Sequence, residues 1–276
     1  MRKNYETVLS GTRAVLVPYR REHVERYHEW MKSPFLLEMT GSEPLSFEEE
    51  VEMQLSWRDD DDKCTFILLN RERCESFLVS RGGGKPQSSE WPRSLENSFI
   101  TNTLDSMVGD VNLFLSDEEV EDDENGEIDD CAASGVPRKQ AELDLMVAEE
   151  SSRGMGIGKE AACLMMLYGA QELGIRKFTV KIKEENFASR HLFEKVSEYL
   201  RFNVISIQNS TDLNQLPFDS HWVSTNVIML LASKNTSLFS NAQTSLKLSR
   251  LSGKSIKVKW TLGKLLIVII IQNKQT

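Results

Sequence analysis

The sequence predicts a single domain of the α/β or α+β class, in which strands and helices alternate around a mixed β-sheet. Three observations support this prediction. The chain is 40% apolar and 27% charged, which is typical of a soluble globular protein. Short apolar runs alternate with helical stripes from Arg13 to about residue 207. Between Glu142 and Gly174, a strand pattern leads through a glycine-rich turn into a helix pattern.

In the first half of the chain, apolar runs predict strands and capping patterns predict helices. A helix follows Pro18, has Val24 and Tyr27 on its buried face, and ends before Pro34. The segment Ser46–Glu49 has the spacing of a capping box and begins a second helix. The strands predicted in this half are Arg13–Pro18, Cys64–Leu69 and Met107–Leu115.

Two surface insertions interrupt the predicted domain. Residues 70–106 contain the run Gly82–Gly84, two prolines and many Ser and Asn residues, a composition typical of loops. Residues 116–140 are strongly acidic, since ten of the fourteen residues from Asp117 to Asp130 are Asp or Glu. Such a segment buries too little apolar surface to fold, so we interpret it as a solvated loop. The alternative is a dedicated binding loop for basic partners.

The segment from Glu142 to Gly158 carries the clearest functional pattern. Its first half is a strand, its second half is the turn Arg153-Gly-Met-Gly-Ile-Gly158, and a helical stripe then continues to Gly174. A helix N-terminus presents unpaired backbone N–H groups, and glycine allows a phosphate to approach them closely. Arg153 adds a planar cation. The turn therefore predicts a site for a phosphate-bearing ligand, and the alternative is a plain connection between strand and helix.

Beyond this helix the pattern continues with further strands and one capped helix. Lys177–Ile182 is a predicted strand, and Asn186 caps a helix that carries Phe193 and Val196 on its apolar face. Phe202–Ile207 and Val227–Leu231 are predicted as late strands. We place the domain at residues 1–231.

Charge divides the chain unevenly. The net charge is −9, yet residues 232–276 contain eight Lys or Arg and no acid. The acidic balance argues against a general affinity for nucleic acid. The basic tail has two interpretations, a surface-binding segment that acts at a membrane, or translated non-coding sequence without a structure. The longest apolar run has seven residues, against roughly 20 for a membrane-spanning helix, so no such helix is expected.

The four cysteines and four histidines show no metal-ligand spacing, and no metal site is expected. Reduced thiols and an N-terminus without an apolar signal region indicate the cytoplasm, with the nucleus as an alternative.

Two linked motifs resemble the GCN5-related N-acetyltransferase (GNAT) superfamily. Its acyl-CoA motif is Arg or Gln, two residues, Gly, one residue, then Gly or Ala, and Arg153, Gly156 and Gly158 match it. Its second motif, an Asn at the start of the next helix and a small residue three later, is matched by Asn186 and Ser189. Further blocks resemble the branch related to ribosomal-protein N-terminal acetyltransferases, and the resemblance covers roughly residues 8–69 and 107–195.

The resemblance implies a mostly antiparallel sheet with helices on both faces, whose one parallel strand pair splays around acetyl-CoA, the acetyl donor. It places the pyrophosphate on the turn, the pantetheine beside the end of the preceding strand, and the oxyanion donors among the backbone N–H groups near Met146 and Val147. The implied cofactor-binding residues are Met146, Val147, Ala148, Arg153, Gly154, Met155, Gly156, Ile157, Gly158, Asn186 and Ser189.

The candidate catalytic residues are Glu142 and Asp144. They alternate with Leu143 and Leu145 and therefore point away from the core face. Glu142 occupies the position of a glutamate often found in the resembling branch, and we expect it to act as a base through water. The alternative is that both acids are solvated or paired with basic neighbours.

The expected activity is transfer of acetyl from acetyl-CoA to a protein or peptide amine, an N-terminal α-amine in the first instance. Two alternatives remain, acetylation of a small-molecule amine and a non-catalytic interaction protein that keeps the CoA fold. The second is motivated by Phe193, which stands where many family members carry a tyrosine that protonates the leaving thiolate, with Tyr168 and Tyr199 as unplaced substitutes. It is also motivated by residues 196–202, which depart from the family pattern.

Overall fold

The computed structural model describes residues 2–80, 97–118, 138–183 and 185–200, and short strands at 203–206, 226–232, 247–250, 255–256 and 266–272. The described chain forms two compact units. The first unit comprises Met1–Leu113, Asp144–Met165 and Leu238–Thr261. The second unit comprises Phe114–Leu143, Met166–Ser237 and Leu262–Thr276.

The helices and strands follow the alternating order that the sequence predicts. The helices are α1 (Val24–Trp30), α2 (Pro34–Thr40), α3 (Phe47–Asp59), α4 (Arg71–Ser80), α5 (Asn97–Thr103), α6 (Ile157–Glu172) and α7 (Phe187–Leu200). The strands are β1 (Thr7–Ser10), β2 (Ala14–Pro18), β3 (Lys63–Asn70), β4 (Met107–Glu118), β5 (Arg138–Val147), β6 (Ile175–Lys183), β7 (Asn203–Ser206), β8 (Asn226–Ala232), β9 (Lys247–Arg250), β10 (Ser255–Ile256) and β11 (Leu266–Gln272).

In the first unit the strand order is β10-β9-β1-β2-β3-β4-β5. Strands β1 and β2 pair antiparallel, as do β2 and β3, where Val15 lies opposite Leu69 and Val17 opposite Ile67. These four side chains lie on one sheet face and are buried in an apolar cluster with residues of α1 and α2. Because alternate residues of a strand share a face, the same face continues along β3 to Thr65 and Lys63.

In the second unit the strand order is β5-β6-β11-β8-β7. Strands β5 and β6 pair in parallel, with Lys139 opposite Ile175 and Glu142 opposite Thr179. Strand β11 also pairs in parallel with β6. Strand β8 pairs antiparallel with both β11 and β7. The fold is therefore the mixed, mostly antiparallel α/β architecture that the sequence predicts.

Local capping explains where several helices begin and end. Ser46 and Glu49 form the predicted capping box of α3, each side chain bonding the other's backbone N–H. Helix α2 was not predicted, although Ser33 caps it and Pro34 occupies its first turn. It ends at Gly41, whose φ of 66° lies in the left-handed region that favours glycine.

The range 70–106, predicted as a surface insertion, begins and ends with helices. Helix α4 buries Cys74 and helix α5 buries Ile100, both fully. Residues 81–96 lie outside the described residues, as do residues 119–137 of the predicted acidic insertion. Within the basic tail the structure assigns strands β9, β10 and β11. No helix among the described residues combines the length and hydropathy needed to cross a membrane.

Candidate active site

The glycine-rich turn has the geometry of a helix N-terminus that admits a ligand. Strand β5 ends at Val147, a short 3-10 turn follows at Glu150–Ser152, and α6 begins at Ile157. Between them Gly154 and Gly156 have φ values of 72° and 78°, which residues with a side chain rarely adopt. The first backbone N–H groups of α6 have no partner within the helix, so they are available to an anion.

Arg153 is bonded to the end of the strand that precedes it. Its Nε donates to the Val147 carbonyl and one terminal nitrogen donates to the Ala148 carbonyl, each at 3.0 Å. The guanidinium also lies over the Phe35 ring, 5.4 Å from the centroid. Two of five guanidinium N–H donors are thus used to hold the turn against the strand, and the expected contact with phosphate stays a prediction.

Glu160 and Arg13 are two further residues at the turn that the sequence did not single out. The Glu160 carboxylate accepts hydrogen bonds from the backbone N–H groups of Thr12, Arg13 and Ala14 and from the Thr12 hydroxyl, at 2.6 to 2.8 Å. Arg13 donates to the Met155 carbonyl at 2.7 Å. A second arginine therefore lies beside the turn. No sequence pattern indicates this, because Thr12 and Glu160 are 148 residues apart.

The candidate base Glu142 is paired with a basic neighbour in the second unit. Its Oε2 lies 2.5 Å from the Lys181 Nζ, and the two side chains are 32% and 44% exposed. This agrees with the interpretation in which the acid is ion-paired. Asp144, which belongs to the first unit, is exposed.

Asp110 is a buried titratable residue that the sequence analysis treated only as part of a strand. It lies on β4 with 2% exposure, and its Oδ2 accepts from the Asn112 Nδ2 at 2.7 Å. The Thr65 hydroxyl donates in turn to the Asn112 Oδ1 at 2.7 Å. Burial, and secondarily the Asp144 charge, raises the pKa of Asp110 to about 7. Asp110 and Asn112 alternate with apolar residues in the predicted strand Met107–Leu115, but alternation alone did not show that this face is covered.

In the second unit, Asn186 acts as the predicted helix cap. Its Oδ1 accepts from the backbone N–H of Ser189 at 3.0 Å, and α7 follows with Phe193 and Val196 buried. Tyr168 is buried on α6, and the side chain of Tyr199 lies outside the described residues.

Three described cysteines and His23 are buried in the protein interior. Burial raises the pKa of the Cys64, Cys74 and Cys163 thiols to about 12, so they stay protonated as core residues. Burial lowers the pKa of His23 to about 3, and its Nδ1 accepts from the Arg20 backbone N–H. In the described part of the chain no three His, Cys, Asp or Glu side chains are grouped to hold a metal ion.

The family described as "Acetyltransferase (GNAT) domain" matches residues 13–197. The chain is 40% identical to the N-acetyltransferase 9-like protein of Nematostella vectensis, over 80% of this chain and 90% of that protein. It is 42% identical to the alpha/beta-tubulin-N-acetyltransferase 9 of Mus musculus, over 76% of this chain and 69% of that protein.

Among solved structures, the spermidine N-acetyltransferase of Vibrio cholerae with CoA and spermine is 14% identical. The structural match covers 72% of this chain and 85% of the Vibrio cholerae chain, with a TM-score of 0.45. The family match spans most of the described fold, including the glycine-rich turn and the capped helix α7. The chain belongs to the GNAT acetyltransferase family and is an N-acetyltransferase that uses acetyl-CoA as its co-substrate.

Proposed function

We propose that this enzyme acetylates the N-terminal α-amine of a protein, with the tubulin chains as the first candidates. One observation carries the choice of a protein acceptor. Relatives from Mus musculus and Homo sapiens, 42% and 43% identical, are named alpha/beta-tubulin-N-acetyltransferase 9. The proposal includes the cytoplasm as the compartment, where buried thiols stay reduced.

The choice of an α-amine over a lysine amine follows from the availability of the neutral nucleophile. The reference pKa is about 7.7 to 8.0 for an α-amine and about 10.4 for lysine, so at pH 7 roughly 10% of the first and well under 0.1% of the second is neutral. The carboxylate of Glu142 is paired with the ammonium of Lys181. A site of this kind favours the less basic amine.

We further propose a donor site on the glycine-rich turn. The pyrophosphate binds the backbone N–H groups from Gly154 to Gly158, and Arg13 and Arg153 supply positive charge beside it. The pantetheine lies along the residues 146–148, where backbone N–H groups stabilise the oxyanion. The family resemblance also assigns Asn186 and Ser189, at the start of α7, to cofactor binding.

Proton removal completes the proposed reaction. Glu142 acts as the base and takes the proton of the amine through water in the tetrahedral intermediate. Asp144 is the second acidic residue of the strand and attracts the positively charged acceptor. The thiolate of CoA leaves without a dedicated acid, since its reference pKa of about 8.5 makes it a good leaving group.

The donor site is tested by titrating acetyl-CoA into the purified protein by calorimetry. We expect micromolar binding by the wild type. The double variant Arg153→Ala, Gly156→Asp should weaken binding at least about 100-fold, because it removes a cation and places a like charge where phosphate approaches. A folded double variant that binds as tightly as the wild type would contradict the assignment of the turn.

The acceptor is tested with peptides that carry the N-terminal sequences of α- and β-tubulin. Each is offered with a free α-amine and with the α-amine blocked, and mass spectrometry locates the acetyl group. We expect acetylation of the free α-amine and at least about 100-fold less on internal lysines. Transfer to small amines such as spermidine alone would support the small-molecule alternative, and CoA binding without turnover on any amine would support the interaction protein.

A further inference from the structure

A row of buried polar side chains crosses one face of the sheet in the first unit. Strand β3 contributes Lys63 and Thr65, and strand β4 contributes Asp110 and Asn112, all at most 9% exposed. Hydrogen bonds of 2.7 Å run from Thr65 to Asn112 and from Asn112 to Asp110. Burial raises the pKa of the Asp110 carboxylate, and the Tyr27 hydroxyl of α1, which lies near it, has the smaller effect of lowering that pKa. Such a row is costly to bury, because each polar group loses its water.

Two polar atoms of this region lack hydrogen-bond partners among the residues that the structure describes. They are the Asp110 Oδ1 and the Tyr19 hydroxyl, whose residues are 2% and 5% exposed. A buried polar atom without a partner costs about 1 to 3 kcal/mol, and native proteins keep few of them. Each of these two atoms can therefore take one further hydrogen-bonding partner in the working enzyme.

A cleft borders this region. Its lining includes Tyr19, Thr65, and Gln54 and Trp57 of α3. Gln54 is fixed by its hydrogen bond of 3.0 Å to the Tyr19 carbonyl, and the Lys63 ammonium lies 3.2 Å from the centroid of the Trp57 ring. Thr65 lines the cleft and donates to Asn112, which in turn donates to Asp110. Two hydrogen bonds therefore connect the cleft to the Asp110 carboxylate.

The chemistry of the open groups fits a primary ammonium. A carboxylate oxygen accepts from an ammonium donor, a tyrosine hydroxyl presents its oxygen as a second acceptor, and aromatic faces attract cations. An anionic or apolar group would leave the Asp110 oxygen without a donor. The same donor could come from a trapped water molecule, which the experiment below distinguishes.

We propose that Tyr19, Thr65, Asp110 and Asn112 form the acceptor pocket, in which the Asp110 Oδ1 and the Tyr19 hydroxyl bind the ammonium of the acceptor and Asp110 takes its first proton. This inference rests on the proposed function, since it assumes an amine acceptor. The ammonium passes one proton to the carboxylate, and the neutral nitrogen attacks the thioester carbonyl. The C–N bond forms, the C–S bond breaks, and the nitrogen's second proton leaves through water and balances the CoA thiolate.

The electrostatics of the pocket suit this role. Burial raises the pKa of Asp110 to about 7, near that of an α-amine, so proton transfer between them is close to balanced. The charged and titratable groups around the pocket include Asp144 of β5, Lys63 of β3, Glu50 of α3, Arg21, and the tyrosines Tyr19 and Tyr27. Asp144 raises and Lys63 lowers the pKa of Asp110. Burial, and secondarily the nearby carboxylates, raises the pKa of both tyrosines.

The test compares kcat/KM from pH 6 to 9 for the wild type and four variants, with an α-amine peptide as acceptor. Asp110→Asn should lower kcat/KM at least about 100-fold and remove the acidic limb of the pH profile, without changing the Kd of acetyl-CoA. Tyr19→Phe should raise KM roughly tenfold and leave kcat nearly unchanged. Asp105→Asn makes the same chemical change at an exposed site and should behave as the wild type. Glu142→Gln should lower kcat and keep the acidic limb.

The outcomes separate this inference from the proposed function. If folded Asp110→Asn keeps the wild-type pH profile and kcat/KM within twofold, the open atoms hold water and the acceptor pocket is wrong. If the wild type acetylates no amine, the proposed function fails. Calorimetric titration of the same peptide then decides the inference, because binding that is absent, or equal for wild type and Asp110→Asn, overturns it.

Discussion

At the scale of single residues, Gly109 lies where the backbones of two strands leave no room for a side chain. A Cβ added to it would lie 1.9 Å from the Met146 carbonyl oxygen, and backbone on both sides leaves no flexible atom to move. We expect Gly109→Ala to destabilise the protein by about 3 kcal/mol, the upper part of the range for overpacking, and to weaken acetyl-CoA binding. Urea unfolding measures the first effect and calorimetry the second.

Gly41→Ala is the matched control for this substitution. Gly41 has a left-handed φ of 66°, but a Cβ there would meet nothing within 4 Å. Its cost should be about 1 kcal/mol, from backbone conformation alone. If the two variants were equally stable, the close approach of Gly109 to Met146 would not be important for the stability of strands β4 and β5.

The residues that were predictable from sequence are those whose partners are local. Ser46 and Glu49 are three residues apart, and so are Asn186 and Ser189, so a capping pattern suffices to place them. Arg13 and Glu160 were not singled out because their partners lie far along the chain, and Asp110 because its burial is not visible in the sequence. Burial and long-range hydrogen bonds are properties of the folded chain and leave no periodic pattern.

At the scale of elements, Glu160 joins the first turn of α6 to the connection between β1 and β2. Four hydrogen bonds from residues 12–14 converge on its carboxylate. We expect Glu160→Ala to lower stability by about 2 kcal/mol, a reduced figure because much of this contact is exposed. The loss of Arg13 from its place beside Met155 should also raise the Kd of acetyl-CoA about tenfold. Denaturant unfolding and calorimetry measure these effects.

The control for this element is Glu48, an exposed acid that likewise lies in the first turn of a helix. Glu48→Ala removes a comparable interaction with the helix dipole, about 0.3 to 1 kcal/mol, without breaking a link between elements. Equal losses in the two variants would show that Glu160 acts only through the dipole of α6, and the proposed anchoring of the turn would then be wrong.

Elements with strong periodicity were predicted well, and short or irregular ones were not. The stripe that begins at Ile157 and the strand Lys177–Ile182 are long enough for periodicity to identify them. Strand β1 has four residues and α2 has seven, too few for a pattern to stand out. Helices α4 and α5 were overlooked because they adjoin a glycine- and serine-rich stretch, whose composition outweighed the buried Cys74 and Ile100.

At the scale of the whole molecule, two buried groups give stability opposite dependences on pH. The pKa of Asp110 is raised to about 7, so its contribution is greatest below the unfolded value near 4 and is lost as the pH rises through 7. The pKa of His23 is lowered to about 3, so its contribution is present above the unfolded value near 6.5 and is lost as the pH falls towards 3. Between pH 4 and 6.5 the two oppose each other, and above pH 6.5 His23 is neutral in both states.

Asp110→Asn separates the two contributions, because it removes one titration and keeps the side-chain volume. We expect the free energy of unfolding of this variant, relative to the wild type, to increase by about 2 kcal/mol between pH 5 and pH 8. The wild type must ionise a buried carboxyl over that range, whereas the asparagine stays neutral. Urea unfolding at the two pH values measures the difference, and Asp105→Asn, at an exposed carboxylate, should show none. A pH-independent difference would mean that Asp110 is already ionised at pH 5 in the folded protein. The acceptor pocket would then hold a carboxylate of ordinary, low pKa. Such a carboxylate is too weak a base to take a proton from the ammonium as proposed.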